Sequence, residues 1–192
     1  MARAWMLLIY GVPTKPSRTR WHVWREIRRA GAILLRDGVA VLPSEHAAAW
    51  MHDVARDIAT GGGNAQVVTA QFSAADERAI LRSFAADRAR EYGEIADSCA
   101  GLLEHVDREA AHAQFTFAEL AALEADIDKL RRWLEAARGR DHFKSSRVKR
   151  AEGALAQCER KIARFAEQAE RAEQRPPSRR PGSAPRQRSG SA

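Results

Sequence analysis

The stretch Ile33-Leu-Leu-Arg-Asp-Gly-Val-Ala-Val-Leu42 decides how the first part of the chain folds. Two apolar runs flank Asp37-Gly38, and an Asp-Gly pair between apolar runs is a strong signal for a tight β-hairpin. The sequence therefore predicts two adjacent antiparallel strands at this point. The alternative treats residues 33–42 as one bent strand, which leaves three strands in this part of the chain instead of four.

The segments on either side of the hairpin each predict a strand and a helix. The run Trp5-Met-Leu-Leu-Ile-Tyr10 predicts a buried strand, and residues 18–30 predict an amphipathic helix that ends at Gly31. The apolar positions of that helix are Val23, Trp24, Ile27 and Ala30. After the hairpin, a second helix is predicted from Pro43-Ser44 to the glycines at 61–63, followed by a strand within 64–72.

The resulting order βαββαβ predicts an α+β domain over residues 4–72. This order is typical of the ferredoxin-like fold, in which one antiparallel sheet carries two helices on one face. Residues 73–173 predict a three-helix, coiled-coil-like region. Residues 174–192 hold five arginines, four prolines and no apolar side chain larger than alanine, so we expect a disordered tail.

Three apolar seams run through the helical region, with residues that alternate at spacings of four and three. The first helix is predicted to bury Leu81, Ala85, Arg88, Tyr92, Ile95, Cys99, Leu102 and Val106. The second is predicted to bury Leu120, Leu123, Ile127, Leu130, Leu134 and Ala137, and the third Val148, Ala151, Leu155, Cys158, Ile162, Phe165 and Ala169. Such seams need partners, which are the other helices, the sheet or a second subunit.

The formal charge of +7 is unevenly distributed along the chain. Residues 1–43 hold eight basic and two acidic residues, the tail adds five arginines, and the middle of the chain is slightly acidic. Basic ends on a chain with an acidic middle indicate a polyanionic partner or a contact within the molecule.

The helix over 18–30 concentrates its charge on one side. At about 100° per residue, Arg18, His22, Arg25 and Arg29 fall within about 40° of one line, opposite Val23 and Ile27. Arginine forms bidentate contacts with phosphate, so this stripe suits a nucleic-acid backbone, although a solvated helix face is the alternative. We expect Trp21, beside this stripe, to cover the rim of the core, and stacking on a nucleic-acid base is the alternative. The candidate nucleic-acid-binding residues are Lys15, Arg18, Arg20, Arg25 and Arg29.

No catalytic motif is recognisable, so we expect a protein that is not an enzyme, with no cofactor and no metal ligands. Cys99 and Cys158 form no CxxC pair and are expected to be small buried side chains. His105, Glu109 and His112 share a helix face but lack the further ligands of a di-metal bundle site. The longest apolar run has six residues, which is too short to cross a membrane, so a cytoplasmic location is expected.

Several short motifs together resemble the N-terminal domain of the chromate resistance protein ChrB family. They are the run from Trp5 to Pro13, Ser17, Arg20, Trp24-Arg25, Gly31-Ala32, Gly38-Val39, Leu42-Pro43, Phe84, Glu91-Tyr92, Lys129-Leu-Arg-Arg132 and Asp141-His-Phe143. At His142 the family more often has an aromatic residue. The first domain is similar, more loosely, to that of PaaX-type repressors and of CRISPR-adaptation nucleases. Those nucleases hold a metal with an aspartate after the first strand, where this chain has Gly11.

The resemblance implies a chromate-responsive transcriptional regulator of a chromate-efflux operon. Full-length family members carry a further C-terminal domain associated with sensing, and at the corresponding place this sequence has the Pro/Arg/Ser-rich tail, so we expect sensing not to reside in this chain. We therefore expect a DNA-binding regulator, and the partners left open are a second copy of the chain and a separately encoded sensor domain. The alternative is a helical protein-interaction scaffold, or an accessory subunit of a separate sensing domain, that does not bind DNA.

Overall fold

The structure is a computed structural model that describes residues 3–15, 17–111 and 116–174. Within these residues, the chain forms an α+β fold of four strands and five helices, as the sequence predicts. The strands are β1 (Trp5–Gly11), β2 (Ile33–Arg36), β3 (Val39–Pro43) and β4 (Asn64–Ala70). The helices are α1 (Ser17–Ala30), α2 (Ala48–Thr60), α3 (Ala74–Ala111), α4 (Phe117–Gly139) and α5 (Val148–Glu173).

The predicted hairpin is confirmed, and the single bent strand is wrong. β2 and β3 pair antiparallel across a turn in which Gly38 has a φ of 73°, a conformation that glycine adopts without strain. A side chain at this position would also meet the Tyr10 carbonyl oxygen, because a Cβ would lie 2.5 Å from it. The four strands follow the order β2-β3-β1-β4, and each neighbouring pair is antiparallel.

The second helix begins later than predicted. Pro43 still pairs with Trp5 as the last residue of β3, and the Ser44 N–H donates to the Ala4 carbonyl at 3.1 Å. These contacts hold the chain on the sheet, so residues Ser44–His46 form a short 3-10 turn and the α-helix starts at Ala48. Gly62, with a φ of 78°, follows the helix at the predicted glycine stop.

The core beneath the sheet includes the first turns of α3. Trp5 is fully buried, with its ring centroid 6.0 Å from that of Phe84 and 6.1 Å from that of Phe143. This packing rotates the buried face at the start of α3, so Ile80 and Phe84 are buried where Leu81 and Ala85 were predicted. The error arises because this end of the helix covers the sheet, whereas the seam pattern assumes helical partners.

From Arg88 onward the predicted seams are confirmed, and the three long helices pack on each other within the chain. Their shared core contains fifteen buried residues, from Tyr92 in α3 to Phe165 in α5. Leu120 and Val148 are half-buried at the ends of their seams. Residues 175–192, which hold most of the predicted tail, lie outside the described residues. No described helix is long and apolar enough to span a membrane.

Candidate nucleic-acid interface

Helix α1 is fixed on the domain by its apolar side and by contacts with α2. Val23 and Ile27 are almost completely buried in the sheet core. Thr19 packs against Gly61, and a Cβ added to Gly61 would lie 2.5 Å from the methyl group of Thr19. His22 Nε2 lies 3.0 Å from Asp57 Oδ2, so this member of the predicted stripe is already paired. These contacts orient the opposite side of α1 toward solvent.

The C-terminal end of α1 is held by the connection between α4 and α5. His142 Nε2 donates to the Ala30 carbonyl at 2.9 Å, which satisfies an acceptor at the helix end. Gly31 has a φ of 69°, and a Cβ there would lie 2.8 Å from Cβ of Arg140. The His142 imidazole therefore joins the end of α1 to the connection between α4 and α5.

The connection itself is fixed to α3 through Asp141. The Tyr92 hydroxyl donates to Asp141 Oδ2 at 3.1 Å, and the Ser145 N–H donates to the same oxygen at 2.8 Å. Burial is the largest cause that raises the pKa of Tyr92 well above its usual value, and the negative charge of Asp141 is the second. The hydroxyl therefore stays protonated and remains a donor. This contact links the surface that carries α1 to the helical bundle.

The structure brings three of the five predicted binding residues onto one face. Arg18, Arg25 and Arg29 are exposed on the side of α1 that faces away from the core. Arg20 is also exposed, but it lies about 160° around the helix from that line. Lys15 is exposed in the segment before the helix.

Most arginines of α1 have no acidic partner. Among the described residues, no ion pair or hydrogen bond involves Arg18, Arg20, Arg28 or Arg29. Arg25 contacts Glu26 at 3.9 Å and His22 Nδ1 at 3.5 Å, both at the limit of such interactions. The positive charge of this surface is therefore left largely uncompensated by the protein.

Two tryptophans on α1 are exposed, which the sequence analysis missed. Trp21 was expected to cover the rim of the core and Trp24 to lie on the buried face, but they are 58% and 54% exposed. The guanidinium of Arg25 lies 4.6 Å from the Trp21 ring centroid, and that of Arg28 lies 6.0 Å from the Trp24 ring. Helical periodicity could have predicted the exposure of Trp24, because this residue lies about 100° around the helix from the buried Val23.

A second group of arginines lies beside the C-terminal half of α1. Arg88 and Arg140 border a cleft of about 320 Å³ that Arg25, Arg28 and Arg29 border from the other side. Both Arg88 and Arg140 donate to the Glu91 carboxylate, which also accepts from Trp133 Nε1 at 3.1 Å. Burial raises the pKa of Glu91, but the hydrogen bond from Arg140 and the charges of both arginines outweigh it and lower the pKa overall. Glu91 is therefore ionised and neutralises part of the inner charge.

One cluster of potential metal ligands assembles at the other end of the bundle. His112 lies outside the described residues, but Glu119 from α4 joins His105 and Glu109, with donor atoms within 4.8 Å of one another. His105 Nε2 is 2.9 Å from Glu119 Oε1, and the Glu119 N–H donates to Thr116 Oγ1 at 3.2 Å. Thr116 thus caps the start of α4, and the Glu119 carboxylate ties this end of α4 to α3.

The two cysteines are buried between α3 and α5, as predicted. Cys158 Sγ donates to the Cys99 carbonyl at 3.2 Å. Burial, together with the neighbouring Cys99, raises the pKa of the Cys158 thiol to about 12. Both groups are therefore held as thiols, and neither adjoins the basic surface of α1.

These features define a class: an α+β protein that presents an arginine-rich helix on a small antiparallel sheet, braced by three long helices. The sequence model of the family described as "Protein ChrB, N-terminal" matches residues 20–176. The chain belongs to this family, as the motifs in its sequence imply.

A relative supports the same assignment. The chain is 35% identical over 92 residues to a protein named Protein ChrB from Cupriavidus metallidurans. The matched stretch covers 47% of this chain and 28% of the length of that relative. The comparison with solved structures finds no match.

Proposed function

We propose that this chain is part of a chromate-resistance-associated transcriptional regulator and that it binds DNA through α1. The observation that carries the proposal is the outer face of this helix, where exposed arginines lack acidic partners among the described residues. Arginines that the protein leaves uncompensated are available to phosphate oxygens, which accept bidentate hydrogen bonds from guanidinium groups. Membership of the ChrB family supports the regulatory role.

The anchoring of α1 supports a rigid contact with the phosphate backbone. The helix is fixed by its buried side, by the His22–Asp57 pair and by the His142 contact at its end. Its arginines therefore lie on a backbone that does not have to become ordered on binding, which lowers the entropic cost of the contact. Lys15 and the arginines of the 174–192 segment would add affinity that does not depend on base sequence.

The proposal also covers the fold type of the sheet domain and its partners. The order βαββαβ with the sheet order β2-β3-β1-β4 supports a ferredoxin-like domain. We propose that the protein acts in the cytoplasm by binding, without catalysis, as a dimer. Following the resemblance to the ChrB family, we also propose that chromate is sensed by a separate domain. The scaffold alternative has less support, since the seams that would recruit a partner are buried within the chain.

Titration of labelled duplex DNA from upstream of the gene tests the proposal. The full chain is titrated at two salt concentrations, and affinity is expected to fall steeply at the higher one because bound phosphates release counterions. Binding that is absent, or equally strong at both salt concentrations, contradicts the proposal. The variant Arg25→Ala/Arg29→Ala is expected to weaken this binding. The matched control is Arg160→Ala/Arg164→Ala, which removes two exposed charges from α5, leaves α1 unaltered and is expected to bind like the unaltered chain.

A further inference from the structure

The aromatic side of α1 adjoins its basic side. Trp21 and Trp24 are three residues apart, so their rings are neighbours along one edge of the helix. Arg28 lies between them in angle, and Arg25 joins the Trp21 ring to the arginine face. We refer to Trp21, Trp24, Arg25 and Arg28 as the indole–arginine edge.

A bound partner that covers them would explain why both indole rings are exposed. A tryptophan gains more than most residues from burial, yet these two remain more than half exposed on a helix whose other side is fully packed. The charge around them selects the partner. Glu26 lies 3.9 Å from Arg25, and Asp87 and Glu91 line the neighbouring clefts, but Asp87 is paired with Arg90, and Glu91 with Arg88 and Arg140. Among the described residues Arg28 has no acidic partner, so a partner that covers the edge is expected to bring negative charge with it.

We infer that the indole–arginine edge binds unpaired bases, so that α1 prefers nucleic acid whose strands are open. This inference rests on the proposed function and specifies the form of DNA that the site takes. In an intact duplex each base face is covered by its neighbours, and only edges and phosphates are accessible. An open strand presents base faces that stack on indole rings, while its phosphates reach the arginines beside them.

The geometry fits a strand that runs along the helix. Arg25 contacts Trp21, and Arg28 contacts Trp24, so each ring has a cation next to it. Each guanidinium lies over one face of its ring, so a base would stack on the other face, with a cation nearby for a phosphate of the same strand. Arg18 and Arg29, at the two ends of the arginine face, extend the positive charge in both directions along the strand.

The experiment compares three labelled probes of equal length: a duplex, the same duplex with a central unpaired bubble, and one of its single strands. The unaltered full chain is expected to bind the bubble and the single strand more tightly than the duplex. The double variant Trp21→Ala/Trp24→Ala is expected to lose about tenfold in affinity per indole for the two open probes, with its duplex affinity nearly unchanged. Trp21→Phe/Trp24→Phe keeps most of the preference because a phenyl ring also stacks.

Phe117→Ala is the matched control. Phe117 is 53% exposed at the start of α4, so its replacement removes an equally accessible aromatic ring away from α1. It is expected to leave the affinity for all three probes unchanged. The thermal midpoint of every variant is measured, and the exposed positions predict values close to that of the unaltered chain. Quenching of tryptophan emission by the open probes, reduced in the Phe variant, provides a second readout.

The outcomes separate the inference from the proposed function. Salt-dependent duplex binding with no preference for the open probes overturns the inference and leaves the proposed function standing. An equal loss of affinity for all three probes in the Ala variant also overturns it, because the indoles then contribute no base stacking. Failure of the unaltered chain to bind any probe overturns the proposed function as well.

Discussion

The arginines of α1 and the arginines around Glu91 lie on opposite sides of one cleft and have different surroundings. Arg18 and Arg29 are exposed and have no acidic partner among the described residues. Arg88 is only 7% exposed and, with Arg140, donates to a half-buried carboxylate. The same side chain is thus left available to a ligand in one place and is part of the fold in the other.

This difference shows that the number of arginines near a surface does not by itself identify a binding site. A guanidinium that is desolvated needs an acceptor within the protein, and at Glu91 that acceptor also receives the indole N–H of Trp133. An arginine that remains in water has no such requirement and keeps its hydrogen-bonding capacity for a partner. Three experiments test the comparison.

The largest effect is expected from Glu91→Ala. The variant leaves Arg88 and Arg140 without their shared acceptor, and loss of one partner of a buried ion pair costs about 3–5 kcal/mol in the free energy of unfolding. Urea denaturation measures the change. Glu135→Ala removes the exposed partner of Arg138 and is the control, with an expected loss of about 0.5 kcal/mol. Equal losses in the two variants would mean that the inner arginines are not structural.

A smaller effect is expected from acid. The pKa of Glu91 is lower in the folded chain than its usual value of 4.5, so its ionised form contributes stability above that value. This stability is lost as the pH falls through the pKa of the folded state. Urea denaturation from about pH 5 to about pH 3 is expected to show a steeper decline in the unaltered chain than in Glu91→Gln. Parallel pH profiles would contradict the assignment of this carboxylate as the acceptor.

The smallest effect on stability is expected from Arg25→Ala/Arg29→Ala. Both residues are exposed, so the free energy of unfolding should change by no more than about 0.5 kcal/mol. Duplex DNA binding should change clearly, because the dependence of log affinity on log salt falls by up to about two if both residues contact phosphate. The double variant at Arg160 and Arg164 should keep the original slope. An unchanged slope in the α1 variant would mean that Arg25 and Arg29 are solvated and do not contact phosphate.

Local patterns predicted most of the elements, because local contacts determine them. The Asp37-Gly38 turn and the seams of α4 and α5 depend on residues a few positions apart. Predictions failed where a distant segment intervened. The start of α2 was displaced by the pairing of Pro43 with Trp5, and the buried face of early α3 was rotated by packing on Trp5.

For the candidate site, the sequence by itself determined the charge and the amphipathic period of α1, and thus a face shared by Arg18, Arg25 and Arg29. Only the tertiary structure decided which charges remain available. His22 is paired with Asp57, 35 positions away, and Arg88 is neutralised by a carboxylate that Arg140 also contacts. It also decided that Trp21 and Trp24 stay in solvent. Burial and ion pairing depend on segments that are distant in sequence, whereas helical periodicity depends only on neighbours.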